Sequence, residues 1–344
     1  MVIKLDMSST NRFLIIAPSW IGDLLMSQSL YISLKANYRN CTIDVIAKPY
    51  LNDLIKLMPE VNNNYDLGID HKEFGFSKRL KISKQLKDNN YSTAIILTNT
   101  FKSAIIPWIM NIPKRIGYKT ELRSILLTKS YKLIKHEDSM VNRYLKLIDS
   151  SFDKTFRPYL NLDPDIIRKY KNKYIPNDTK KNVILCPEAE FGDTKRWPQK
   201  KWISIAKYFK DENHNVFFVG KDIESSKEYE EIIDDISITS LIGKTTLKDV
   251  AYIMSCADLV VTNDSGLMHL AASLGVNLIS IYGSSSPFYT PPLMKENHGE
   301  IIYKHVECSP CYKKKCPLTD DLNLKCLESI TSEEVIKKSK KYLG

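Results

Sequence analysis

The feature that most constrains the fold is a regular alternation of short apolar runs with helical patterns. Residues 13–17 form a continuous apolar run, which is typical of a strand buried on both faces of a parallel sheet. A loop follows, and Met26, Leu30 and Leu34 then recur at helical spacing. Further strands are predicted at residues 42–47, 67–69, 93–97, 182–186, 215–219, 238–242, 258–261 and 277–282. Strands that alternate with helices imply parallel sheets with right-handed crossovers, so an α/β fold is expected.

The length of 344 residues favours two domains, because a single hydrophobic core rarely serves so long a chain. The first alternation occupies residues 1–160 and the second residues 182–330. Residues 161–181 between them carry prolines and many charges, and they are predicted to be a linker with a short helix. Residues 331–344 predict a polar helix that packs back on the first domain. Other helices are predicted near residues 49, 74 and 100, and at 139–151, 199–211, 223–234, 247–256 and 265–274.

Charge and hydropathy narrow the class of partner. The formal net charge is +10, which favours acidic partners such as an anionic lipid surface or a phosphorylated substrate. Nucleic acid is disfavoured, because the sequence has no zinc finger and no RNP-like aromatic strand. The longest apolar runs are about five residues, against roughly 20 for a membrane span. Residues 1–11 lack the apolar core of a signal peptide, so a cytoplasmic protein is expected.

Residues 263–269 read as a tight loop between a predicted strand and a predicted helix. The first N–H groups of such a helix are unpaired and its dipole is positive there, so this end attracts an anion such as a diphosphate. Asp264 and Ser265 are suited to capping the helix, and Gly266 allows a ligand to approach the backbone closely. An ordinary capped helix without a ligand explains the same residues. Early in this helix, His269 fits a packed structural side chain better than a base.

Other polar residues also follow predicted strands. Asp23 begins a helix at the carboxyl end of the first strand, where open α/β sheets bind their ligands, although a capping carboxylate is the alternative. Lys195 and Arg196 precede the helix at 199–211 and are suited to contact phosphates, or they are solvated residues beside a core tryptophan. Asp222 follows the strand at 215–219, where a carboxylate accepts hydrogen bonds from a ribose.

Several cofactor motifs are missing from the sequence. No glycine-rich dinucleotide fingerprint and no phosphate loop ending in Lys-Ser or Lys-Thr occur. The pair in Asp163-Pro164-Asp165 lies in the predicted linker and indicates a helix start, not a loop that holds a metal-bound sugar nucleotide. An obligatory divalent metal is therefore not expected. Cys308, Cys311, Cys316 and Cys326 are separated by two, four and nine residues. Free thiols are the preferred interpretation, because the last gap fits no standard zinc module, and a structural zinc ion remains the alternative.

The N-terminal strings Ala17-Pro18-Ser19-Trp20-Ile21-Gly22-Asp23 and Met26-Ser27-Gln28-Ser29-Leu30 resemble the ADP-heptose:lipopolysaccharide heptosyltransferases, and within that family the type II enzymes. The resemblance continues at residues 115–123, 189–192, 195–198, 263–269, 282–287, 290–293 and 308–311. It implies a GT-B fold, in which two Rossmann-like domains face each other across a cleft. The first would bind the acceptor and the second ADP-heptose.

The resemblance also implies a reaction. Heptose would be transferred with inversion, without a metal or other cofactor, onto the first heptose of the lipopolysaccharide inner core at the cytoplasmic face of the inner membrane. Asp23 is implied as the general base and Lys195 as a leaving-group contact. With the loop residues above, the predicted donor contacts are Lys195, Arg196, Asp222, Asp264, Ser265, Gly266, Leu267 and His269. The predicted acceptor contacts are Ser19, Trp20, Gly22, Arg115, Lys119 and Arg123.

Two departures from the family pattern stand near the predicted diphosphate site. Glu188 replaces a usual glycine, and Asp193-Thr194 replace the commoner Pro-Ala. Rival functions also remain: a type I or III heptosyltransferase, a GT-B-type sugar-nucleotide epimerase, or a non-catalytic nucleotide-binding protein. An epimerase would need more acid and base residues than Asp23 alone.

Overall fold

The computed structural model describes residues 11–69, 74–175, 179–221 and 238–344. The chain divides into two compact units, Met1–Pro158 and Tyr159–Gly344. The boundary lies slightly before the predicted one at residue 160. Within the described ranges, no helix is both long and apolar enough to cross a membrane.

The first unit is built on a six-stranded parallel sheet in the order β3-β2-β1-β4-β5-β6. Its strands are β1 (Arg12–Ile16), β2 (Thr42–Ala47), β3 (Asn63–Asp66), β4 (Thr93–Ile96), β5 (Lys114–Lys119) and β6 (Lys129–Lys132). Its helices are α1 (Ile21–Asn37), α2 (Asn52–Ile55), α3 (Phe76–Leu86), α4 (Ile105–Ile109) and α5 (Met140–Lys146). The central strand β1 pairs in register with β2 and β4, so that Ile15 lies opposite Val45 and Ile95. All three side chains are fully buried.

The second unit repeats this architecture with strand order β12-β11-β10-β7-β8-β9. Its strands are β7 (Asn182–Cys186), β8 (Asn215–Phe218), β9 (Thr239–Ser240), β10 (Leu259–Asn263), β11 (Leu278–Tyr282) and β12 (Gly299–Tyr303). Its helices are α6 (Pro164–Tyr174), α7 (Gln199–Asp211), α8 (Leu247–Met254), α9 (Gly266–Leu274), α10 (Lys325–Glu328) and α11 (Ser332–Leu343). The two parallel sheets with covering helices confirm the predicted α/β class.

Both sheets reverse their strand order beside the first strand of the unit. In the first unit the chain runs from β1 to β2 and β3, and then returns to the other side of β1 with β4. In the second unit it runs from β7 to β8 and β9, and returns beside β7 with β10. Open α/β sheets bind ligands outside the carboxyl ends of strands at such a reversal. The loops after β1, β7 and β10 are therefore the expected ligand-binding positions.

Four strands were predicted wrongly or not at all. The polar segment Asn63–Asp66 forms β3 in place of the apolar residues 67–69, because an edge strand pairs along one side only. Residues 115–123 were predicted only as a basic cluster, yet Lys114–Lys119 forms β5, and β6 and β12 were also missed. The helix predicted at 223–234 lies outside the described residues.

The predicted linker at 161–181 contains a helix that packs within the second unit. Helix α6 begins at Pro164, where the Asp163 carboxylate caps it by accepting a hydrogen bond from the Asp165 amide. The Tyr170 ring of α6 stacks on the Tyr252 ring of α8 with 5.0 Å between centroids. The Tyr170 hydroxyl also donates to the Asp249 carboxylate. This part of the linker is therefore fixed to the second unit.

The C-terminal helix α11 lies within the predicted residues 331–344 but has a different packing partner. Val335 and Leu343 are buried in the same core as Trp202 and Phe209 of α7. The prediction that α11 packs back on the first domain is thus wrong for its apolar face, because that face completes the core of the second unit. A helix with one apolar stripe buries that stripe against the core that it faces.

Candidate functional site

The loop between β10 and α9 leaves the first turn of the helix without a side-chain cap. Ser265 is the N-cap residue, but its side chain makes no capping hydrogen bond and its hydroxyl lies 3.4 Å from that of Thr262. Asp264 makes a salt bridge, so the predicted capping role of both residues is wrong. The N–H groups that open α9 are therefore not occupied by a capping side chain, which is the arrangement that suits an anionic ligand.

Lys195 is held beside this helix end by a buried carboxylate. Its Nζ lies 2.5 Å from Asp264 Oδ2, and the two side chains are 16% and 3% exposed. The Ser285 hydroxyl donates to the same Asp264 oxygen. A charge pair removed from water in this way is costly to break, because either partner left alone is an uncompensated buried charge. The pair fixes one cation at the positive end of α9.

Asn263 ties the loop after β7 to the loop after β10. Its fully buried amide donates to the Pro187 carbonyl at 2.6 Å and accepts from the Trp197 N–H at 3.1 Å. The Trp197 ring is itself buried against Trp202 in an edge-on contact with centroids 5.2 Å apart. The loop that carries Lys195 is thus anchored at both sides of the lysine.

The turn before Lys195 depends on a close backbone contact. Gly192 has a φ of +151°, and a Cβ added there would lie 2.4 Å from the Lys314 carbonyl oxygen. Thr194, which replaces the usual family residue, is buried and donates its hydroxyl to the Lys313 carbonyl. Asp193 is exposed. The departure at Thr194 is therefore accommodated by a hydrogen bond to the loop at 313–314.

Glu188, the other departure, points toward the loop after β8. Its carboxylate accepts a hydrogen bond from the Lys221 amide at 2.7 Å. It also occupies the space beside Gly220, where an added Cβ would lie 2.6 Å from the Glu188 carboxyl carbon. The neighbouring Arg196 donates from Nε to the Ala189 carbonyl at 3.1 Å. Asp222 lies outside the described residues, so its predicted ribose contact is untested.

His269 is buried and neutral at physiological pH. Its side chain is 6% exposed, and burial lowers its pKa to about 4, against a smaller opposing effect of the Asp264 charge. A neutral imidazole adds no positive charge for a diphosphate. This fits a packed histidine, as the sequence favoured, and its role as a donor contact remains a prediction.

In the first unit, Asp23 lies in the first turn of α1, immediately after β1. Its side chain is partly exposed, and the N-cap residue Trp20 makes no side-chain capping bond and is 49% exposed. The Tyr50 hydroxyl donates to the Ser19 carbonyl, which fixes the start of this loop. Gly22 is buried beneath it. The carboxylate thus stands at the carboxyl edge of the sheet, and its role as a base remains a prediction.

The predicted basic cluster does not exist as one surface. Arg115 lies near the amino end of β5, where its guanidinium donates to the carbonyls of Ile112 and Leu126, both at 2.7 Å. Lys119 is the last residue of the same strand, at the carboxyl edge of the sheet, and is exposed. Because a strand rises about 3.3 Å per residue, their backbones are separated by roughly 13 Å.

The prediction that Arg123 contacts the acceptor is wrong. Arg123 is 0% exposed, and burial lowers the pKa of its guanidinium to about 10. Its Nε donates to the Tyr118 carbonyl at 2.8 Å, and Nη1 donates to the Ser103 hydroxyl at 3.0 Å and to the Thr98 carbonyl. The guanidinium therefore joins the loops after β4 and β5 from within and is inaccessible to a phosphate.

The late cysteines all carry free thiols. Cys308 is exposed, Cys326 is buried, and Cys311 and Cys316 are intermediate. Among the described residues, no group of three His, Cys, Asp or Glu side chains is placed to hold a metal ion. Burial raises the pKa of the Cys326 thiol to about 11, with smaller contributions from the other three cysteines.

Sequence reasoning missed two residues that organise the site. Asn263 and Ser285 belong to strings that were quoted for the resemblance, but neither was assigned a contact. Each acts on another site residue, since Asn263 positions the Lys195 loop and Ser285 the Asp264 carboxylate. A buried polar side chain after a strand was the signal available, because such a group must find a hydrogen-bond partner.

Two Rossmann-like units with parallel sheets, and with polar loops at the carboxyl ends beside the strand reversals, define a GT-B glycosyltransferase fold. The solved structure of the Escherichia coli ADP-heptose lipopolysaccharide heptosyltransferase II has a TM-score of 0.81 and 31% sequence identity, and the match covers 96% of this chain and 98% of that one.

Sequence comparisons agree with the fold. The lipooligosaccharide heptosyltransferase 2 of Haemophilus influenzae (strain Rd) is 36% identical over 301 residues, which cover 82% of this chain and 86% of the relative. The lipopolysaccharide heptosyltransferase 2 of Escherichia coli K12 is 35% identical, with 82% and 85% covered. The family model described as glycosyltransferase family 9 (heptosyltransferase) matches residues 79–320. The chain belongs to this family.

Proposed function

We propose that the protein is a type II heptosyltransferase, which moves heptose from ADP-heptose onto the first heptose of the lipopolysaccharide inner core. The relatives named heptosyltransferase 2 and the likeness to the Escherichia coli enzyme support this assignment. The observation that carries it is the cation Lys195, held by the buried Asp264 at the uncapped start of α9.

The second unit binds the donor through its diphosphate. The first N–H groups of α9, from Gly266 and Leu267 onward, are suited to donate hydrogen bonds to phosphate oxygens. Lys195 adds a point charge on the same side. When the glycosidic bond to the diphosphate breaks, negative charge grows on the departing ADP. A cation and a helix end fixed in advance stabilise that charge without having to reorganise.

The first unit supplies the general base. A single displacement inverts the anomeric carbon, and it requires a carboxylate that accepts the proton of the acceptor hydroxyl as the new bond forms. Asp23 is the carboxylate at the carboxyl end of β1, beside the strand reversal. The proposed acceptor contacts are Ser19 and Trp20 in the loop before α1, Gly22 in its first turn, and Lys119 at the end of β5. The reaction as proposed includes no metal or redox cofactor.

The place of action follows from the acceptor. An inner-core acceptor is carried by lipid A, so the enzyme works in the cytoplasm at the surface of the inner membrane. The net charge of +10 favours attraction to anionic headgroups. Membrane association of this kind is peripheral.

The acceptor decides between the proposed function and its rivals. ADP release from ADP-heptose is measured with Kdo-lipid A that carries one heptose, with Kdo-lipid A alone, and without acceptor. We expect release only with the heptose-bearing acceptor. Release with Kdo-lipid A alone would make the enzyme type I, and altered sugar nucleotide without ADP release would make it an epimerase. Binding of ADP-heptose without any turnover would indicate a non-catalytic protein.

A further inference from the structure

We propose that the carboxyl edge of the first sheet carries a membrane-docking surface, which inserts Leu122, Ile125 and Phe76 into an anionic bilayer beside the lysines of α3. The inference rests on the proposed function in one respect, since an acceptor anchored in lipid gives the enzyme a reason to dock. The exposure, anchoring and charge of its side chains support the surface independently of that function.

The apolar side chains at this edge are unusually exposed. Leu122 is 86% and Ile125 77% exposed, and Phe76 at the start of α3 is 54% exposed. Leu122 and its neighbour Glu121 both have positive φ, at +57° and +46°. A branched side chain rarely adopts this conformation, so neither backbone preference nor burial within the chain explains a leucine at position 122. Exposed apolar groups held at such cost mark an interaction surface.

The loop that presents Leu122 and Ile125 is rigidly anchored from below. The buried guanidinium of Arg123 binds the backbone at Tyr118 and the Ser103 hydroxyl, as described above. The Glu121 carboxylate accepts the Phe101 N–H at 2.7 Å. Leu126 packs with Ala104 and Ile105 in a small apolar cluster. Leu122 and Ile125 are thus held outward on a fixed platform.

The start of α3 belongs to the same edge. Arg79 of α3 is buried and donates from Nη1 to the Lys102 carbonyl at 2.9 Å. Lys102 is the neighbour of Phe101, whose amide donates to the Glu121 carboxylate. The segments that follow β3, β4 and β5 are therefore tied side by side. Phe76 lies on the first of these segments and Leu122 on the third. Asp23, which follows β1, stands at this edge too.

The positive charge of α3 indicates which partner binds at this surface. Ile82 and Leu86 face the core, whereas Lys78, Lys81 and Lys84 are exposed on the other side. Between Phe76 and Lys87 the sequence contains no acidic residue. Apolar side chains beside a row of lysines match a bilayer interface with anionic headgroups, because the lysines pair with phosphates while the apolar groups enter the acyl boundary.

The test measures binding to vesicles without any sugar substrate. Vesicles of phosphatidylethanolamine and phosphatidylglycerol are compared with vesicles of phosphatidylcholine alone, by co-sedimentation of the full chain. We expect the wild-type protein to prefer the anionic vesicles. Leu122→Ser/Ile125→Ser and Lys81→Gln/Lys84→Gln should each lower the bound fraction at least about fivefold. Exposed positions elsewhere supply the controls: Leu322→Ser, and Lys337→Gln/Lys340→Gln on α11, should bind like the wild type.

Three outcomes would overturn the proposal. The first is that the wild type binds anionic vesicles no better than phosphatidylcholine vesicles. The second is that both test variants bind vesicles as well as the wild type does. The third is that the wild type self-associates and Leu122→Ser/Ile125→Ser does not, which would make the edge a protein interface. Transfer to a detergent-dispersed acceptor is measured separately. If the test variants keep that activity but lose vesicle binding, docking is supported. If the wild type binds vesicles but transfers nothing, the proposed function fails and the docking surface stands.

Discussion

At the scale of single residues, the buried pair of Lys195 and Asp264 is where the proposed chemistry can be separated from stability. Asp264 is almost fully buried, so its charge is stabilised by the lysine ammonium and the Ser285 hydroxyl rather than by water. Buried ion pairs add little net stability over apolar residues of similar size. The presence of the pair at the start of α9 is therefore better explained by the proposed role of the cation toward the departing ADP.

This view predicts different results for single and double variants. Lys195→Met leaves a buried carboxylate unpaired and should lower the free energy of unfolding by about 3 kcal/mol. Lys195→Met/Asp264→Leu removes both charges and should regain most of that loss, while ADP release stays impaired. Urea unfolding measures the first quantity and an ADP-release assay the second.

A matched surface pair serves as the control. Arg168 and Asp165 are bonded at 2.7 Å, but each side chain is 76% exposed. Arg168→Met should therefore change the free energy of unfolding by less than about 1 kcal/mol. If the double variant at Lys195 and Asp264 were as unstable as Lys195→Met, the unpaired buried carboxylate would not be the main reason for the lost free energy of unfolding.

At the scale of elements, Arg123 shows how one residue can organise two loops. Its guanidinium donates to the Tyr118 carbonyl within β5 and to the Ser103 hydroxyl after β4, and it packs over Gly117, where an added Cβ would lie 3.2 Å from Nη2. A planar guanidinium offers several donors in a fixed geometry, whereas an ammonium is a single point.

Arg123→Lys should therefore destabilise the protein. We expect the free energy of unfolding to fall by about 2–4 kcal/mol, because buried carbonyls lose their donors. Lys119→Gln, an exposed change on the adjoining strand, should alter it by less than about 0.5 kcal/mol. Chemical unfolding of both variants checks this. Equal stability of Arg123→Lys and the wild type would show that the loops need no guanidinium.

The elements that sequence predicted well are those whose pattern reports burial. Strands β1, β7 and β11 lie inside their sheets, so both faces are apolar and the runs are visible in the sequence. Helix α7 was predicted with its observed bounds because Trp202, Ile205 and Phe209 recur at helical spacing. The edge strands β3, β6 and β12 were misplaced or missed, because a strand paired on one side can be polar.

The site residues likewise include some that the sequence placed correctly and one that it did not. The sequence placed Asp23, Lys195 and Asp264 at strand ends, and the structure brings Lys195 and Asp264 into contact. The sequence also suggested that Arg123 was an accessible cation, and this was wrong. The neighbouring residues of a charged side chain in a loop look the same whether that side chain is solvated or buried. Only the tertiary contacts to Thr98 and Ser103 distinguish the two.

At the scale of the whole molecule, the proposed chemistry is divided between the two units. The proposed base Asp23 belongs to the first unit, and the cation Lys195 and helix α9 belong to the second. Acceptor activation and leaving-group stabilisation are therefore encoded more than 150 residues apart. The proposed docking surface lies on the unit that carries the base.

The most direct test of this division is the rate of acceptor-dependent ADP release by Asp23→Asn, with the ADP affinity measured in parallel by calorimetry. The account predicts that kcat falls by about 10²–10⁴-fold while the Kd for ADP stays unchanged, because only the base is removed. Asp53→Asn, which changes an acid in the first turn of α2, should match the wild type. A kcat close to that of the wild type in Asp23→Asn would contradict the account.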